Sequence, residues 1–447
     1  MTLMLAEALR LRSPCTVAFI GSGGKTTAIF QLARQIKSRT VVTATSHLGV
    51  WQIPMADSHI IATESGALNE LENTSHPVTL VTGEIDGDRT MPVRADILSR
   101  LQSYCVRHHA TLLVEADGSR QKPLKAWGKH EPPIPEFADI VVQIVGMQGL
   151  GKPLNGESVH RVDLFATRSR LGVGDIIDRE ALIRALLHPD NPWDRFPPHA
   201  RRISMLNQAD TSELQAAAQG MANELLNRYQ SVIVSSLGQE KIFAVHEPVA
   251  AIILAAGEST RYGGLKQLLD WRGHPFVQAV TKKALEVGLS PVVVVTGASA
   301  EQVEQAVENL DVQIARNDEW KSGQASSIRA GLRRLLSPSV SFDNIGACVF
   351  LLVDQPQITS SILHALATKH AEGLFPIVAP MVIDRRANPV LFDRDTFDDL
   401  LTLEGDTGGR GIFHKHPVEY LPWHDDRLLL DVDTPEQYQR LIEDETL

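Results

Sequence analysis

An apolar octet, VAAIILAA from Val249 to Ala256, leaves this chain few folds to choose from, because it runs without a polar alternate into a glycine-bearing loop that ends on lysine, LAAGESTRYGGLKQLL. A strand of that kind is covered on both faces, which is the environment of a parallel sheet flanked by helices. In the loop, Gly257, Gly263 and Gly264 allow main-chain N–H groups to approach phosphate oxygens with no Cβ in the way, and Arg261 and Lys266 add fixed cations. Such a loop suits a nucleoside triphosphate and its departing pyrophosphate. Read alone, a strand-to-helix turn with two solvent-facing cations serves equally well.

A second strand, loop and helix opens the chain: TVAFIGSGGKTTAIFQLARQI, with Thr16 to Ile20 as strand and Thr26 onward as helix. Here Gly21, Gly23 and Gly24 offer amides to phosphate at a helix N-terminus, Lys25 can reach the phosphates, and Thr26 and Thr27 follow with hydroxyls. The spacing departs from the Walker A motif, since Phe19 stands five before Gly24. LLVEADGS places Glu115 and Asp117 two apart at the end of an apolar run, on one side of the pleat, where they could hold Mg²⁺ opposite Lys25 or simply be solvated. LNQAD invites comparison with a guanine-reading NKxD motif, making Asp210 a candidate base contact; Gln208 replaces the lysine, and a helix cap before Thr211 is the other reading.

Downstream of the octet, ACVFLLVDQPQ sets Asp354 at the carboxyl end of another buried strand, the edge at which open α/β sheets bind ligands. DVDTPEQY brings Asp431 and Asp433 together, although Asp431 and Thr434 could also cap a helix starting near Pro435. No nucleophile triad signature is present, and His47, His130 and His160 are too scattered to suggest a metal site by spacing.

The C-terminal half resembles the nucleotidyltransferases related to molybdenum cofactor cytidylyltransferase, whose LAAGxSxRxGxxK signature is matched at Leu254, Ala255, Ala256, Gly257, Ser259, Arg261, Gly263 and Lys266. The resemblance continues through Asn317, Trp320, Gly323 and Ser326 in NDEWKSGQASS, RRANPVLF with Arg386, Asn388 and Pro389, and LEGDTGGRGIF with Gly405 and Asp406. It implies a Rossmann-like nucleotidyltransferase fold, with Arg261, Lys266, Asp354 and Asp433 catalytic, and the two aspartates ligating Mg²⁺. It further implies that Leu254 to Gly257, Gly263, Gly264, Asn317 and Ser326 contact the nucleotide, and that the Arg386 and Gly405 blocks contact the acceptor. Ala387 stands where the family has glycine, a change that would tighten or shift that loop.

The reaction so implied is transfer of CMP from CTP to molybdenum-bound molybdopterin, giving the cytosine dinucleotide and pyrophosphate, with LAAG favouring cytidine over guanosine. Guanylyl transfer, transfer to a sugar phosphate, and a cofactor chaperone that only stores the pterin are the alternatives.

In the first half, GSGGKTT resembles the P-loop of Mur-type ligases, which implies that Lys25 reaches phosphates and that Thr26 is available to Mg²⁺. Together with TVVTATSH, LLVEADGSRQKPLKAWGKHEPPIP, VVQIVGMQGLGKPL, His160, Arg161 and LNQAD, it resembles the selenium-dependent hydroxylase accessory (YqeC) family. That implies assistance to maturation of a molybdenum hydroxylase apoenzyme, with ATP or GTP left open as the nucleotide.

At 447 residues the chain exceeds one hydrophobic core, and QEKIFAVHEPV, near residues 239–249, reads as the division between domains 1–240 and 241–447. Strands alternating with helical runs predict an α/β protein: a P-loop-like domain, then a doubly wound domain with a mainly parallel sheet. A net charge of −11 disfavours nucleic acid and anionic membranes as partners. No apolar stretch reaches the roughly 18 residues that cross a bilayer. Three dispersed cysteines form no disulfide framework, which fits a reducing cytoplasm.

Overall fold

The computed structural model describes residues 3–259, 262–337 and 344–443. It divides into two compact units between His246 and Glu247. Each is α/β, and each is built around a largely parallel sheet.

The main sheet of the first unit is built from β1 (Thr16–Gly21), β2 (Thr40–Ala44), β3 (Ser58–Ile61), β4 (Val78–Thr82), β5 (Thr111–Glu115), β6 (Ile140–Gly146), β7 (Arg201–Asn207), β8 (Ser231–Ser236) and β9 (Lys241–His246). Their order across the sheet is β9-β8-β7-β6-β1-β5-β2-β4-β3, antiparallel only between β8 and β9. The segment 241–246 therefore finishes the first sheet as its edge strand, and the chain leaves this unit only at Glu247. β1 lies between β5 and β6, so the carboxyl ends of these three strands surround the glycine loop that follows β1. That is a topological switch point, the place where such sheets open a crevice. The stretch 188–202, which reads as surface loop from its prolines, is partly interior: Phe196 and Ala200 are buried against the core beside Trp193.

On β9 the His246 ring Nε2 is buried without a hydrogen-bond partner among the described residues, and burial pushes the imidazole pKa down to about 4. The unfolded chain takes that proton near pH 6.5, the folded one only near 4. Stability present above about pH 6.5 is therefore lost as pH falls, by about 2 kcal/mol at pH 5 from this group. Urea midpoints at pH 7.5 and 5.0 should diverge less in His246→Gln than in the parent protein.

The second unit contains β10 (Val249–Leu254), β11 (Val292–Thr296), β12 (Gln313–Arg316), β13 (Ala347–Leu352), β14 (Ile377–Val382), β15 (Arg385–Arg386), β16 (Val390–Asp393) and β17 (Val418–Trp423). The order is β12-β11-β10-β13-β16-β14-β15, with β17 paired in parallel to β14 and β16 antiparallel to both its neighbours. Side chains alternate between two apolar cores. Ala251, Ile253, Val292, Val294, Val349 and Leu351 face one, and Ala250, Ile252, Val293, Val295, Cys348 and Phe350 face the other. This double burial is why the octet carries no polar alternate. The chain runs outward from β10 to β11 and β12, then crosses back to β13 on the other side, so a second switch point lies at the carboxyl ends of β10 and β13. Among the described residues, no helix is long and apolar enough to cross a membrane.

Candidate active site

Two loops leave the second switch point. After β10, residues 255–265 lead to a short 3₁₀ turn, Lys266–Leu268, and after β13 the chain turns at Asp354. The Lys266 ammonium lies 2.7 Å from Asp354 Oδ2 and 2.9 Å from Asp433 Oδ1. Burial alone would pull the lysine pKa down, but the Asp354 carboxylate, together with Asp433, raises it, so the cation persists at neutral pH. Asp433 is brought here by a backbone bond, Val432 N–H donating to Asp354 O at 3.1 Å. Asp354 Oδ1 is buried with no hydrogen-bond partner among the described residues. Three residues remote in sequence thus form one charged cluster, with an oxygen left over for a ligand.

Two neighbouring glutamines hold the cluster in shape, Gln355 from the turn that follows Asp354 and Gln267 from outside any motif. Gln267, 1% exposed, donates from Nε2 to Ala255 O at 3.2 Å and to Gly257 O, and so fixes the loop's path. Gln355, 2% exposed, donates to Asp431 Oδ1 at 2.7 Å. Asp431 therefore faces the cluster and does not cap the helix Pro435–Glu443; Thr434 does that, accepting from Gln437 N–H while Gln437 Oε1 accepts from the Asp433 and Thr434 amides. Burial and the nearby Asp354 and Asp433 carboxylates push the Asp431 pKa up.

Along the loop, Ala255 and Ala256 are buried and Leu254 is half-buried, whereas Gly257, Gly263 and Gly264 are exposed. Of the glycines, only Gly263 has a positive φ, +77°. A Cβ on Gly257 or Gly263 would meet nothing within 4 Å, and one on Gly264 only the Tyr262 ring at 3.8 Å. Neither crowding nor, at Gly257 and Gly264, backbone conformation within the protein requires glycine there. At Gly263 the positive φ itself favours glycine. Arg261 lies outside the described residues.

Asn317 and Ser326 are buried and turned on each other: Asn317 Nδ2 donates to Ser326 Oγ at 2.8 Å and to Ser327 Oγ at 3.0 Å. They brace the start of helix Gln324–Leu335. Gly405 and Asp406 cap that same helix start, since Ala325 N–H donates to Gly405 O at 3.2 Å and Gln324 N–H to Asp406 Oδ1 at 3.4 Å. Gly323 makes the approach possible at φ +109°, where a Cβ would lie 2.4 Å from the Gly405 carbonyl. Arg386 is exposed on β15, its guanidinium 5.6 Å from the Phe413 ring centre and 5.5 Å from that of Tyr420. Ala387 is buried and packs into the core, its N–H donating to Pro380 O at 3.0 Å, so the methyl is accommodated; Asn388 is half-buried and Pro389 buried beside it.

In the first unit the loop glycines are explained by packing. Gly21, Gly23 and Gly24 have φ of +88°, +91° and +125°, and a Cβ on each would strike Ile144 O at 2.2 Å, Gly146 Cα at 2.4 Å and Asn207 Nδ2 at 2.4 Å. Asn207 ties the loop to the sheet, donating to Gly23 O at 2.7 Å while its Oδ1 accepts from Leu237 N–H at 2.9 Å. Lys25 donates to Gly21 O at 2.7 Å and lies 3.2 Å from Asp117 Oδ1. β5 ends at Glu115, and Asp117 sits beyond it, enclosed: its Oδ2 accepts from Gly21 N–H at 3.0 Å, Lys125 at 2.9 Å and Trp127 Nε1 at 2.8 Å. Burial would raise its pKa, but Lys25 and Lys125 hold it below the usual carboxylate range. With those donors around it, Asp117 acts as a clamp between two lysines. Glu115, whose pKa burial pushes up, accepts from Thr26 Oγ1 at 3.2 Å. Thr27 is half-buried on the same helix, Lys25–Gln35. Asp210 accepts from Gln148 Nε2 at 2.8 Å and from Ser236 Oγ, while Thr211 takes the cap of helix Ser212–Leu225. Among the described residues of either unit, no group of three or more His, Cys, Asp or Glu is placed to hold a metal.

Comparison with known proteins matches each half separately. Residues 17–163 match the YqeC protein family, and residues 251–420 match the MobA-like NTP transferase domain. The uncharacterized protein YqeC of Escherichia coli (strain K12) is 28% identical over 233 residues, covering 51% of this chain and 87% of that protein. Nicotine blue oxidoreductase of Paenarthrobacter nicotinovorans is 30% identical over 203 residues, covering 43% of this chain and 96% of that protein. The crystal structure of Rv0371c from Mycobacterium tuberculosis H37Rv is 29% identical and covers 44% of this chain and 98% of that one, with a TM-score of 0.39. The chain joins a YqeC domain to a nucleotidyltransferase domain, and through its second half it belongs to the MobA-like NTP transferases.

Proposed function

We propose that the second unit transfers CMP from CTP to the terminal phosphate of molybdopterin, and that the first unit binds ATP or GTP while assisting maturation of a molybdenum hydroxylase. The observation that carries the transfer is the Lys266 ammonium seated between Asp354 and Asp433, facing a loop whose glycines no protein contact explains.

Asp354 and Asp433 are the residues that would hold Mg²⁺. The unpartnered Asp354 Oδ1 fits such an ion, and two carboxylates suffice because Mg²⁺ takes its remaining ligands from water and substrate phosphates. When bound, the ion supplies charge neutralisation on the triphosphate. Lys266 and the loop amides stabilise the charge that builds on the leaving pyrophosphate. Gln267 keeps those amides in place. The acceptor's phosphate oxygen attacks the α-phosphorus in line, and the bond from that phosphorus to the bridging oxygen breaks. Because a phosphate monoester has its second pKa near about 6, the attacking oxygen is already ionised and no side-chain base is required. The Arg386 and Gly405–Asp406 segments are the acceptor's side of the site in this reading.

The test is pyrophosphate release with molybdopterin and Mg²⁺, comparing CTP with GTP. At least about tenfold faster release with CTP is expected; equal or faster release with GTP would remove the cytidylyl assignment, and release only with a sugar 1-phosphate would remove the acceptor.

A further inference from the structure

In the first unit the helix that follows the glycine loop begins with a hydroxyl in an unusual setting. Thr26 Oγ1 donates to Glu115 Oε2 at 3.2 Å and accepts from Gln52 Nε2 at 3.1 Å. Gln52 belongs to no motif. It lies on the 3₁₀ turn Val50–Met55, between Trp51, which is exposed, and Ile53, and its own side chain is driven inward to 6% exposure. The amide nitrogen is satisfied by Thr26, yet the amide oxygen on the same carbon is buried with no donor among the described residues. An unmatched buried acceptor destabilises a fold unless something absent from the chain supplies the donor or a positive charge.

What could supply it is set by the neighbours. Around that amide stand a hydroxyl oxygen and a buried carboxylate, Glu115, with the Lys25 ammonium 3.9 Å from Oε1 and 2.7 Å from Gly21 O at the head of the loop. The atoms here able to ligate, the Thr26 hydroxyl and the Glu115 carboxylate, are oxygens, the set that hard divalent cations select, and Mg²⁺ keeps several waters when it arrives with phosphates. Asp117, the other acid of this strand end, has its Oδ2 taken by Gly21 N–H, Lys125 and Trp127, and its Oδ1 lies 3.2 Å from the Lys25 ammonium.

We propose that Gln52 completes a divalent-cation site with Thr26 and Glu115, its Oε1 accepting from a water of the cation, which enters with a nucleoside triphosphate on the loop 21–26. This rests on the reading of that loop as a nucleotide site. Gln52 is a positioning residue: it aligns the Thr26 hydroxyl and one water, and touches neither the base nor the phosphates.

The experiment is calorimetric titration of the full-length chain, in an Asp354→Ala background that disables the second unit's metal pair, with ATP and with GTP, each in MgCl₂ and in EDTA. Binding to the loop is the part lost in Lys25→Ala. In the background protein the loop should bind its nucleotide about tenfold more tightly with Mg²⁺ than with EDTA. Gln52→Leu should reduce that gain to about twofold or less and leave the EDTA affinity unchanged, and the isosteric Gln52→Glu should keep or enlarge it. A full Mg²⁺ gain in Gln52→Leu, an equal drop in both media, or a reduced gain in Gln52→Glu overturns the assignment of Gln52. If no binding of either nucleotide depends on Lys25, the nucleotide reading of the loop itself fails, a result distinguishable from the others.

Discussion

Asp354→Ala is expected to lower pyrophosphate release by at least about 10²-fold while the protein remains folded, the scale on which loss of one preorganised charged group acts in a transferase site. The carboxylate stands at the end of β13, 18% exposed on its side chain, and it anchors Lys266 at 2.7 Å. Alanine removes the oxygen that has no protein partner and also frees the ammonium to rest on Asp433 alone. Because the backbone bond from Val432 N–H to Asp354 O does not involve the side chain, the fold should survive. A continuous pyrophosphate assay with thermal melts of both proteins makes the comparison. Turnover within about twofold of the parent would mean that Asp354 neither holds a metal nor positions Lys266.

Gly323→Ala should be the most damaging single methyl in the second unit, costing about 2 to 4 kcal/mol and weakening nucleotide affinity with it. At φ +109° an L side chain is strained, and the new carbon would sit 2.4 Å from Gly405 C and O and 2.6 Å from Asp406 N. Those atoms are backbone and cannot swing aside. The loop 403–408 must retreat, and with it go the two bonds that cap helix Gln324–Leu335. Urea unfolding followed by tryptophan fluorescence measures the loss; a midpoint unchanged from the parent would show that the loop yields without cost.

Much of this arrangement is readable in the amino-acid order because it is written in local patterns. The octet announces a strand covered on both faces, and acids at the ends of apolar runs announce the ligand edge. Bringing Asp354 and Asp433 to one site near Lys266 takes the family pattern as well, since at least 78 residues lie between any two of the three. Other features had no local signature. Gln267 acts through bonds to loop carbonyls, and an internal glutamine reads as any polar residue would; Gln355 reads as part of the turn after Asp354 but not as the partner of Asp431. Asn317 and Ser326 were legible as a pair belonging to the nucleotide segment, but not that each occupies the other. In the first half, the two-residue spacing of Glu115 and Asp117 suggested a common role, whereas the strand ends between them and Trp127, ten residues on, takes part of Asp117. The segment 241–246 has the charge of a connector, yet its consecutive apolar residues Ala244 and Val245 are both buried by pairing with β8.

Every strand of the second sheet has been laid down by Trp423, but the second aspartate arrives only at residue 433. During synthesis on the ribosome, every strand is therefore available before Asp433 is made, but the segment that carries Asp433 also carries Val432 and Leu441 into the apolar core and sets Tyr438 against Phe276. Proteolysis that removes residues 431 onward would thus take the aspartate and part of the core together, and would show as a fall in stability as well as a lost charge.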